Sequence, residues 1–293
     1  MQRVLEYLIC EDYSGKTIRS YLKDLSFSKR CLSFLSNHSG TIFLNDVEVP
    51  LLTALGAGDH LRIVFFDDMA DEIIKTEIPL DIVYEDEDII VINKQSGLPI
   101  HPSRANYDKT LANGVAFHFN DSHLVFRCLN RLDRDTTGLT LLAKNLYASS
   151  VLSKEMLDGQ IRKKYTAIVE GALIEHIGTI DASISRMKDS MMRYVDPANG
   201  ESAITHFRDL GYYPKNNVSL VELDLVTGRT HQIRVHMKYI GHPLVGDRLY
   251  NPSSELMTRQ ALHSFYLEFI HPVTRQLMSF TVPLPEDMQG ILL

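Results

Sequence analysis

Two acids and two arginines lie within residues 131–135, which read RLDRD. A carboxylate that is flanked by guanidinium groups stays ionised, and without them it cannot be buried cheaply. Such a carboxylate can serve as a nucleophile or as a general base. The same composition is also typical of a surface loop with a local ion-pair cluster. The segment alone leaves both interpretations open.

A second polar block lies at residues 227–236, which read TGRTHQIRVH. The preceding residues 219–225 alternate as a strand does, whereas Ile233, Met237 and Ile240 follow a helical spacing. The block therefore lies where a strand passes into a helix. Because it repeats the cationic and polar character of the first block on another element, it favours an active site over a surface loop.

Together the two blocks resemble the RluA-type pseudouridine synthases of RNA, whose signatures are HRLD-x-x-T-[ST]-G and, later, TGR-x-HQ-[IL]-R-x-H. The resemblance extends over nearly all of residues 80–285, in the order of the family. It includes residues 80–99 (LDIVYEDEDIIVINKQSGLP), 163–167 (KKYTA) and 241–247 (GHPLVGD). It implies an isomerase that breaks the glycosidic bond of a uridine in RNA, turns the base and rejoins it through carbon.

The resemblance implies that Asp133 is the catalytic residue. The reaction needs a carboxylate beside C1′ and C2′ of the ribose, a place for a flipped-out base and shielding from water. The sequence does not choose between attack of the carboxylate on C1′ and removal of the C2′ proton. Asp135 is the rival acid. The family tolerates various residues there, so we expect it to be an exposed partner of Arg131 or Arg134.

The other residues that match the motifs are expected to bind the substrate. Arg229 resembles the arginine that pairs with the catalytic carboxylate and keeps it ionised and aimed. Tyr165 matches the tyrosine that stacks on the target base; without the family, a core tyrosine on a strand is the simpler interpretation. Arg131 resembles the side chain that enters the space vacated by the flipped nucleotide. The expected substrate-binding set is completed by His231 and Gln232.

Two positions depart from the family pattern. The family usually has histidine where this chain has Asn130, and lysine where it has Glu201. Neither residue is the proposed catalytic group. Because Asn130 can bond to backbone or phosphate but carries no charge, we expect altered contacts to RNA there.

No cofactor and no metal are predicted. Nothing in this chemistry needs a redox group, and the sequence contains neither G-x-G-x-x-G nor a P-loop. His231 and His236 suggest a metal pair, but no carboxylate or cysteine accompanies them at ligand spacing.

The chain has a net negative charge but contains segments rich in basic residues. The net charge of −7 counts against a protein that clamps long nucleic acid by charge alone. Basic residues nevertheless concentrate at residues 127–134, 162–164 and 229–238, which are the segments suspected of chemistry. Acidic residues concentrate at 67–77 and 81–88. The pattern predicts a local basic cleft and RNA, ribosomal or transfer, as the partner.

The three cysteines show no C-x-x-C spacing, so we expect reduced thiols and a cytoplasmic location. The sequence has no signal-peptide pattern and no run of membrane-spanning length, so no membrane partner is expected. A monomer without an obligatory protein partner is the default prediction.

Residues 1–75 are predicted to form a small separate unit. It should contain a helix within 13–25, a second after Ser28, and strands near 40–46 and 60–65. This order resembles the S4 RNA-binding module, although the cations are few, so a packing cap is the alternative. Residues 67–79 are predicted to be the linker, and residues 76–293 the catalytic domain.

The catalytic part is predicted to be α+β, with a largely antiparallel mixed sheet flanked by helices, because strands dominate and few βα crossovers occur. Helices are expected within 110–119 and 148–156, and a hairpin-like region at 184–213 around a turn at 196–200. The predicted strands are residues 89–92, 139–143, 161–171, 219–225, 262–271 and 277–282.

Two other functions compete with the isomerase. The first is a non-catalytic RNA-binding or ribosome-assembly protein on the same scaffold, against which the joint presence of Asp133, Tyr165 and Arg229 speaks. The second is a glycoside or nucleoside hydrolase. Glycosidases usually need two carboxylates about 5–10 Å apart, and no second acid shares the character of the motif.

Overall fold

The computed structural model describes residues 2–67, 72–104, 106–121 and 124–293. Its N-terminal part is a four-stranded antiparallel sheet in the order β1-β4-β2-β3, covered by two helices. The strands are β1 (Gln2–Leu8), β2 (Ile42–Leu44), β3 (Val47–Glu48) and β4 (His60–Phe66), and the helices are α1 (Ile18–Asp24) and α2 (Lys29–Asn37).

The predicted helices and strands of this unit are confirmed, and the serine cap is present. Ser28 accepts a hydrogen bond from the Cys31 backbone N–H at 3.2 Å, which satisfies one of the free donors at the start of α2. The strand β1 was missed, because its weakly alternating sequence buries only Leu5 fully. It pairs along its whole length with β4.

The larger part is a ten-stranded mixed sheet in the order β10-β13-β14-β9-β15-β8-β6-β5, with β16 paired to β15 and β7 to β8. Within the described residues, only β8 and β15 pair in parallel, so the predicted α+β class with a largely antiparallel sheet is confirmed. The strands are β5 (Ile82–Glu85), β6 (Ile89–Lys94), β7 (Arg127–Cys128), β8 (Thr137–Ala143), β9 (Arg162–Glu170), β10 (Ile177–Asp181), β11 (Ile184–Arg186), β12 (Arg193–Val195), β13 (Ile204–Tyr213), β14 (Val218–Leu225), β15 (Leu262–Ile270) and β16 (Leu277–Thr281).

Helices cover this sheet on its two faces. The run of apolar residues in β6 is explained by this: Ile89 and Val91 belong to one buried cluster, and Ile90 and Ile92 to another on the opposite face. The helices are α3 (Leu111–His118), α4 (Leu146–Leu157), α5 (Gln232–Tyr239) and α6 (Glu286–Leu292).

The region 184–213 differs from the predicted hairpin. The turn at 196–200 is present, and a single bridge joins Ile184 to Glu201. The two-stranded sheet, however, consists of β11 and β12, and β13 pairs with β10 and β14 instead. The turn signal was correct, but the partner of each strand depends on contacts that are distant in sequence.

The N-terminal unit packs directly on α4. Tyr147 and Val151 of α4 belong to its hydrophobic core, and the rings of Phe27 and Tyr147 lie 4.6 Å apart. Arg3 forms a bidentate ion pair with Asp88 at 2.7 and 2.9 Å. The predicted linker at 67–79 includes residues 68–71, which lie outside the described residues. The division at residue 75 stays a prediction.

Of the helices in the described ranges, none combines the length and the apolar character needed to cross a bilayer.

Candidate active site

The two polar blocks of the sequence line one cleft of about 1150 Å³. Residues 128–134 form one wall, residues 224–234 form another, and Tyr165 of β9 lies between them. The sequence predicted that these segments act together, and the sheet brings them together because β8 and β9 both pair with β15.

Asp133 lies in the turn between β7 and β8. The Thr136 backbone N–H donates to the Asp133 carbonyl at 3.1 Å, which fixes the turn. Gly138 follows with a φ of 108°, and a Cβ placed there would lie 2.2 Å from the carbonyl oxygen of Ser264. Only glycine permits this approach of β8 to β15, so the backbone beside Asp133 is held tightly.

The arginine that pairs with Asp133 is Arg234. Its Nη1 donates to Asp133 Oδ2 at 2.9 Å, and its Nε and Nη2 donate to the two oxygens of Asp247, each at 2.7 Å. Arg234 is 5% exposed and Asp247 is fully buried. Burial alone would lower the pKa of Arg234, but the bonds and charges of Asp247 and Asp133 outweigh it and raise that pKa. Arg234 is thus a fixed cation at the carboxylate of Asp133.

The prediction that Arg229 pairs with Asp133 is wrong for this structure. Arg229 Nη1 lies 2.6 Å from Glu201 Oε2, and its Nε donates to the Ser202 carbonyl at 3.0 Å. The reason is geometric: Arg229 precedes α5 and extends along the rim, whereas α5 turns Arg234 towards the interior. Glu201, one of the two departures from the family pattern, supplies the competing carboxylate.

His231 lies close to the same carboxylate. Its Nε2 is 3.8 Å from Asp133 Oδ2, and its Nδ1 is 2.9 Å from the Tyr250 hydroxyl. Its φ of 59° places it in the left-handed region immediately before α5. Burial lowers the pKa of His231, against the opposing charge of Asp133. The ring lines the cleft beside Asp133, and its contact with a substrate stays a prediction.

The sequence predicted that Gln232 binds the substrate, whereas in the structure its side chain bonds within the protein. It is buried, and its Nε2 donates to the Ile204 carbonyl and to Thr205 Oγ1, each at 3.0 Å. Its Oε1 accepts from Thr227 Oγ1 at 2.8 Å and from the Arg229 N–H at 2.9 Å. No amide hydrogen remains for a substrate. Gln232 instead fixes the loop before α5 against β13.

Tyr165 forms part of the cleft floor and of the core at the same time. It is 6% exposed and packs in the buried cluster that contains Leu132 and Ile233. Burial raises the pKa of Tyr165 to about 12, so its hydroxyl is neutral at neutral pH. The core interpretation and the stacking interpretation are compatible, because one face of a ring can pack while the other borders the cleft.

Arg131 lines the cleft, whereas Asp135 does not. Arg131 is exposed, and in the part of the chain that the structure describes no carboxylate lies within ion-pair distance of it. Asp135 accepts from Arg134 Nε at 3.0 Å and from Nη2 at 2.8 Å. Asp135 is therefore the partner of Arg134, one of the two arginines proposed from the sequence.

Asn130 lines the cleft but bonds within the protein, and the expected difference in RNA contacts stays a prediction. It is 5% exposed, its Nδ2 donates to the Leu139 carbonyl at 3.0 Å, and its Oδ1 accepts from the Leu141 N–H at 2.7 Å. Its amide ties the catalytic loop to β8.

Lys94 was missed as a residue of this region. It is 1% exposed, and its Nζ donates to the Arg134 carbonyl at 2.9 Å and to the Gln95 carbonyl at 2.8 Å. Burial lowers its pKa to about 7. Its bond to the catalytic loop depends on tertiary structure, and the sequence signal was only its place at the end of an apolar strand.

Of the two histidines considered as a metal pair, His236 bonds within the protein. His236 is buried, with Nδ1 at 2.9 Å from Thr205 Oγ1 and Nε2 at 2.9 Å from the Ala182 carbonyl. A cluster of Asp86, Asp88 and His271 lies outside the cleft. Its oxygens already accept from Arg3 and from His271, and the guanidinium disfavours a cation.

Comparison with known proteins identifies the family. The family model described as RNA pseudouridylate synthase matches residues 88–239, which include both polar blocks. The chain belongs to this family. It is therefore an isomerase that converts uridine to pseudouridine in RNA.

The relatives of this pseudouridine synthase are similar along most of its length. The Bacillus subtilis protein YjbO, described as an uncharacterized RNA pseudouridine synthase, is 40% identical over 279 residues, covering 94% of this chain and 98% of that protein. Ribosomal large subunit pseudouridine synthase D of Xylella fastidiosa is 36% identical, covering 87% and 81% respectively. The solved structure of human RNA pseudouridylate synthase domain containing 1 has a TM-score of 0.62 at 28% identity, covering 74% of this chain and 89% of that chain.

Proposed function

We propose that the enzyme isomerises specific uridines of large-subunit ribosomal RNA and that Asp133 is the catalytic residue. The observation that carries the catalytic assignment is the chain of contacts Asp133–Arg234–Asp247, with 2.9 Å at the first pair and 2.7 Å at both bonds of the second. It holds one carboxylate, half-buried and facing the cleft, beside a buried guanidinium. Such charge-assisted bonds favour the ionised, correctly aimed carboxylate that the reaction needs.

The reaction begins at the ribose of the target uridine. Asp133 either attacks C1′ or removes the C2′ proton; in both routes the C1′–N1 bond breaks and its electron pair goes to N1 of uracil. After the base turns, a bond forms between C5 and C1′, the C5 proton is released and N1 becomes protonated. The product is an isomer of the substrate, and each route restores the carboxylate of Asp133.

The cleft accommodates a nucleotide that has left its stack. Tyr165 lies in the floor beside the Asp133 loop, and Arg131 is exposed at the mouth. In this proposal the base stacks on the ring of Tyr165, and Arg131 enters the space that the nucleotide vacates. Unstacking costs a few kcal/mol, which contacts in the cleft and at its rim must offset.

The substrate assignment is supported by the names of relatives. Proteins that are 36% identical in Xylella fastidiosa and Haemophilus influenzae are called ribosomal large subunit pseudouridine synthase D. A cytoplasmic, monomeric enzyme agrees with such a substrate, and both properties remain predictions. RNA binding by residues 1–75 as an S4-like module also remains a prediction.

The test is release of tritium from a large-subunit ribosomal RNA transcript that is labelled at C5 of uridine and carries no modifications. Wild type should release the label, and Asp133→Asn should release none, because this change removes only the carboxylate. Asp135→Asn is the matched control and should retain activity. Residual activity of Asp133→Asn within about tenfold of wild type, or about 1.4 kcal/mol of barrier, contradicts the catalytic assignment.

Two further measurements separate the competing functions. Mapping of pseudouridines in a strain that lacks the enzyme identifies the position that is lost and hence the RNA. Incubation with free uridine tests hydrolysis, and release of uracil from it would favour the nucleoside hydrolase.

A further inference from the structure

Two adjacent lysines of β9 have different surroundings. Lys164 donates to Glu222 Oε1 at 3.2 Å, on the strand β14. Lys163 lines the cleft, and its Nζ contacts the sulfur of Met156 at 3.3 Å. Within the described ranges, no carboxylate lies within ion-pair distance of Lys163 Nζ. Because side chains alternate along a strand, the paired lysine faces away from the cleft and the other faces into it.

The position of Lys163 is unfavourable for a cation without an anion. The side chain is half-buried, and a thioether is a weak acceptor that does not balance a positive charge. Burial lowers the pKa of Lys163, and the charge of Asp224 offsets this only in part. Asp224 also lines the cleft but lies beyond ion-pair distance of the amine. Because buried charges in proteins are normally paired, an anion in direct contact with Lys163 would complete the site.

The location fits the backbone of an RNA strand. Lys163 and Tyr165 are two residues apart on one face of β9, which corresponds to about 6.6 Å along the strand. Gly228 lies beside the amine, because a Cβ added there would be in ordinary contact with Lys163 Nζ at 3.9 Å. A base on Tyr165 would therefore place its sugar–phosphate backbone near Lys163.

We propose that Lys163 binds a backbone phosphate next to the target uridine and so positions the flipped nucleotide over Tyr165. This inference rests on the proposed function, because it requires RNA in this cleft. A lysine ammonium suits the task, because it is a compact point charge that can contact phosphate oxygens from several directions. Lys163 touches the substrate outside the reacting atoms, so it acts in binding.

The test compares four full-length proteins: wild type, Lys163→Gln, Lys163→Arg and Lys164→Gln. Binding of the unmodified large-subunit ribosomal RNA transcript is measured over a salt series. One lost phosphate contact should flatten the plot of log affinity against log salt by about 0.7 for single-stranded RNA. Lys163→Gln should show this change and a KM about tenfold higher, with kcat nearly unchanged.

The two controls separate charge at this position from charge in general. Lys163→Arg should retain the wild-type slope, because the cation remains. Lys164→Gln removes the same charge from the opposite face of the strand and should leave the slope and KM unchanged. If Lys163→Gln has a low melting temperature, Lys163→Met repeats the measurement with the apolar stem preserved.

The proposal is overturned if Lys163→Gln keeps the wild-type slope and KM, or if Lys164→Gln flattens the slope equally. A lower melting temperature with an unchanged slope would show a structural lysine and would also overturn it. Failure of the proposed function is seen separately, as absence of tritium release by wild type. The binding slopes decide the role of Lys163 in either case.

Discussion

Replacement of Asp247 by asparagine tests whether the buried ion pair aims the carboxylate of Asp133, the proposed catalytic residue. Asp247 is fully buried and accepts two bonds of 2.7 Å from Arg234, whose third bond goes to Asp133. In Asp247→Asn, the amide oxygen can accept one of the two bonds, but the amide nitrogen faces a second N–H donor. Arg234 is then free to tilt away from Asp133.

The expected magnitude follows from these contacts. Removal of one partner of a buried ion pair costs about 3–5 kcal/mol. Because Arg234 keeps Asp133 as a partner, we expect the lower end, about 3 kcal/mol, and a melting temperature lower by roughly 6 °C or more. Turnover should fall about 100-fold, or about 2.7 kcal/mol of barrier, with KM within about twofold, since Asp247 lies behind the arginine and does not line the cleft.

The assay is tritium release at a temperature well below the melting transition of each variant. Asp287→Asn is the control for an arginine partner outside the cleft: Asp287 accepts two bonds of 2.7 and 2.8 Å from Arg259, and its side chain is 50% exposed. It should lose less stability and retain kcat. A kcat of Asp247→Asn within twofold of wild type, or an equal loss in Asp287→Asn, would refute the reasoning.

Three further outcomes are expected. Arg234→Lys should lower kcat by at least about 100-fold, because lysine lacks the planar fork that spans two carboxylates. Arg229→Lys should change kcat little. Equal losses of kcat for the two variants in the tritium assay would contradict this. Lys94 has a pKa of about 7 in the folded protein and 10.5 as its ordinary value. Between these values the unfolded state binds more protons, so Lys94 makes the free energy of unfolding rise with pH across that window. Denaturant melts of Lys94→Met should lack this rise, and a pH dependence equal to that of wild type would argue against the reasoning. A fragment of residues 76–293 should have a lower melting temperature than the full chain, measured by calorimetry. It should also expose the apolar side of α4 around Tyr147, measured by binding of a hydrophobic dye. An unchanged melting temperature would contradict a core shared between α4 and the N-terminal unit.

The local structure followed closely from the sequence. The cap at Ser28, the apolar strands at 89–92 and 139–143 and the helix after residue 230 are present, because each depends on neighbours within a few residues. The sites of turns were also visible, as at 196–200. The pairing partners of β13 could not be predicted, because the sequence of a strand does not specify which distant strand it pairs with.

The candidate site shows the same division between what the sequence predicted and what only the structure revealed. The motif around Asp133 identified the family, since a motif is a property of residue types in order, and the catalytic role of that carboxylate stays a prediction. The sequence assigned Arg229 as the partner of Asp133, yet the structure places Arg234 there. Both arginines lie in one short motif, and the start of α5 decides which of them faces inward.

The sequence by itself determined the family, the fold class and the acid at the centre of the cleft. Tertiary structure decided what each polar side chain does: Gln232 and Asn130 hold backbone, and Lys163 faces the cleft while its neighbour Lys164 is paired. The physical reason is that residue type sets the chemistry a side chain can perform. Burial and the positions of groups distant in sequence set whether its charge and hydrogen bonds are already used within the protein.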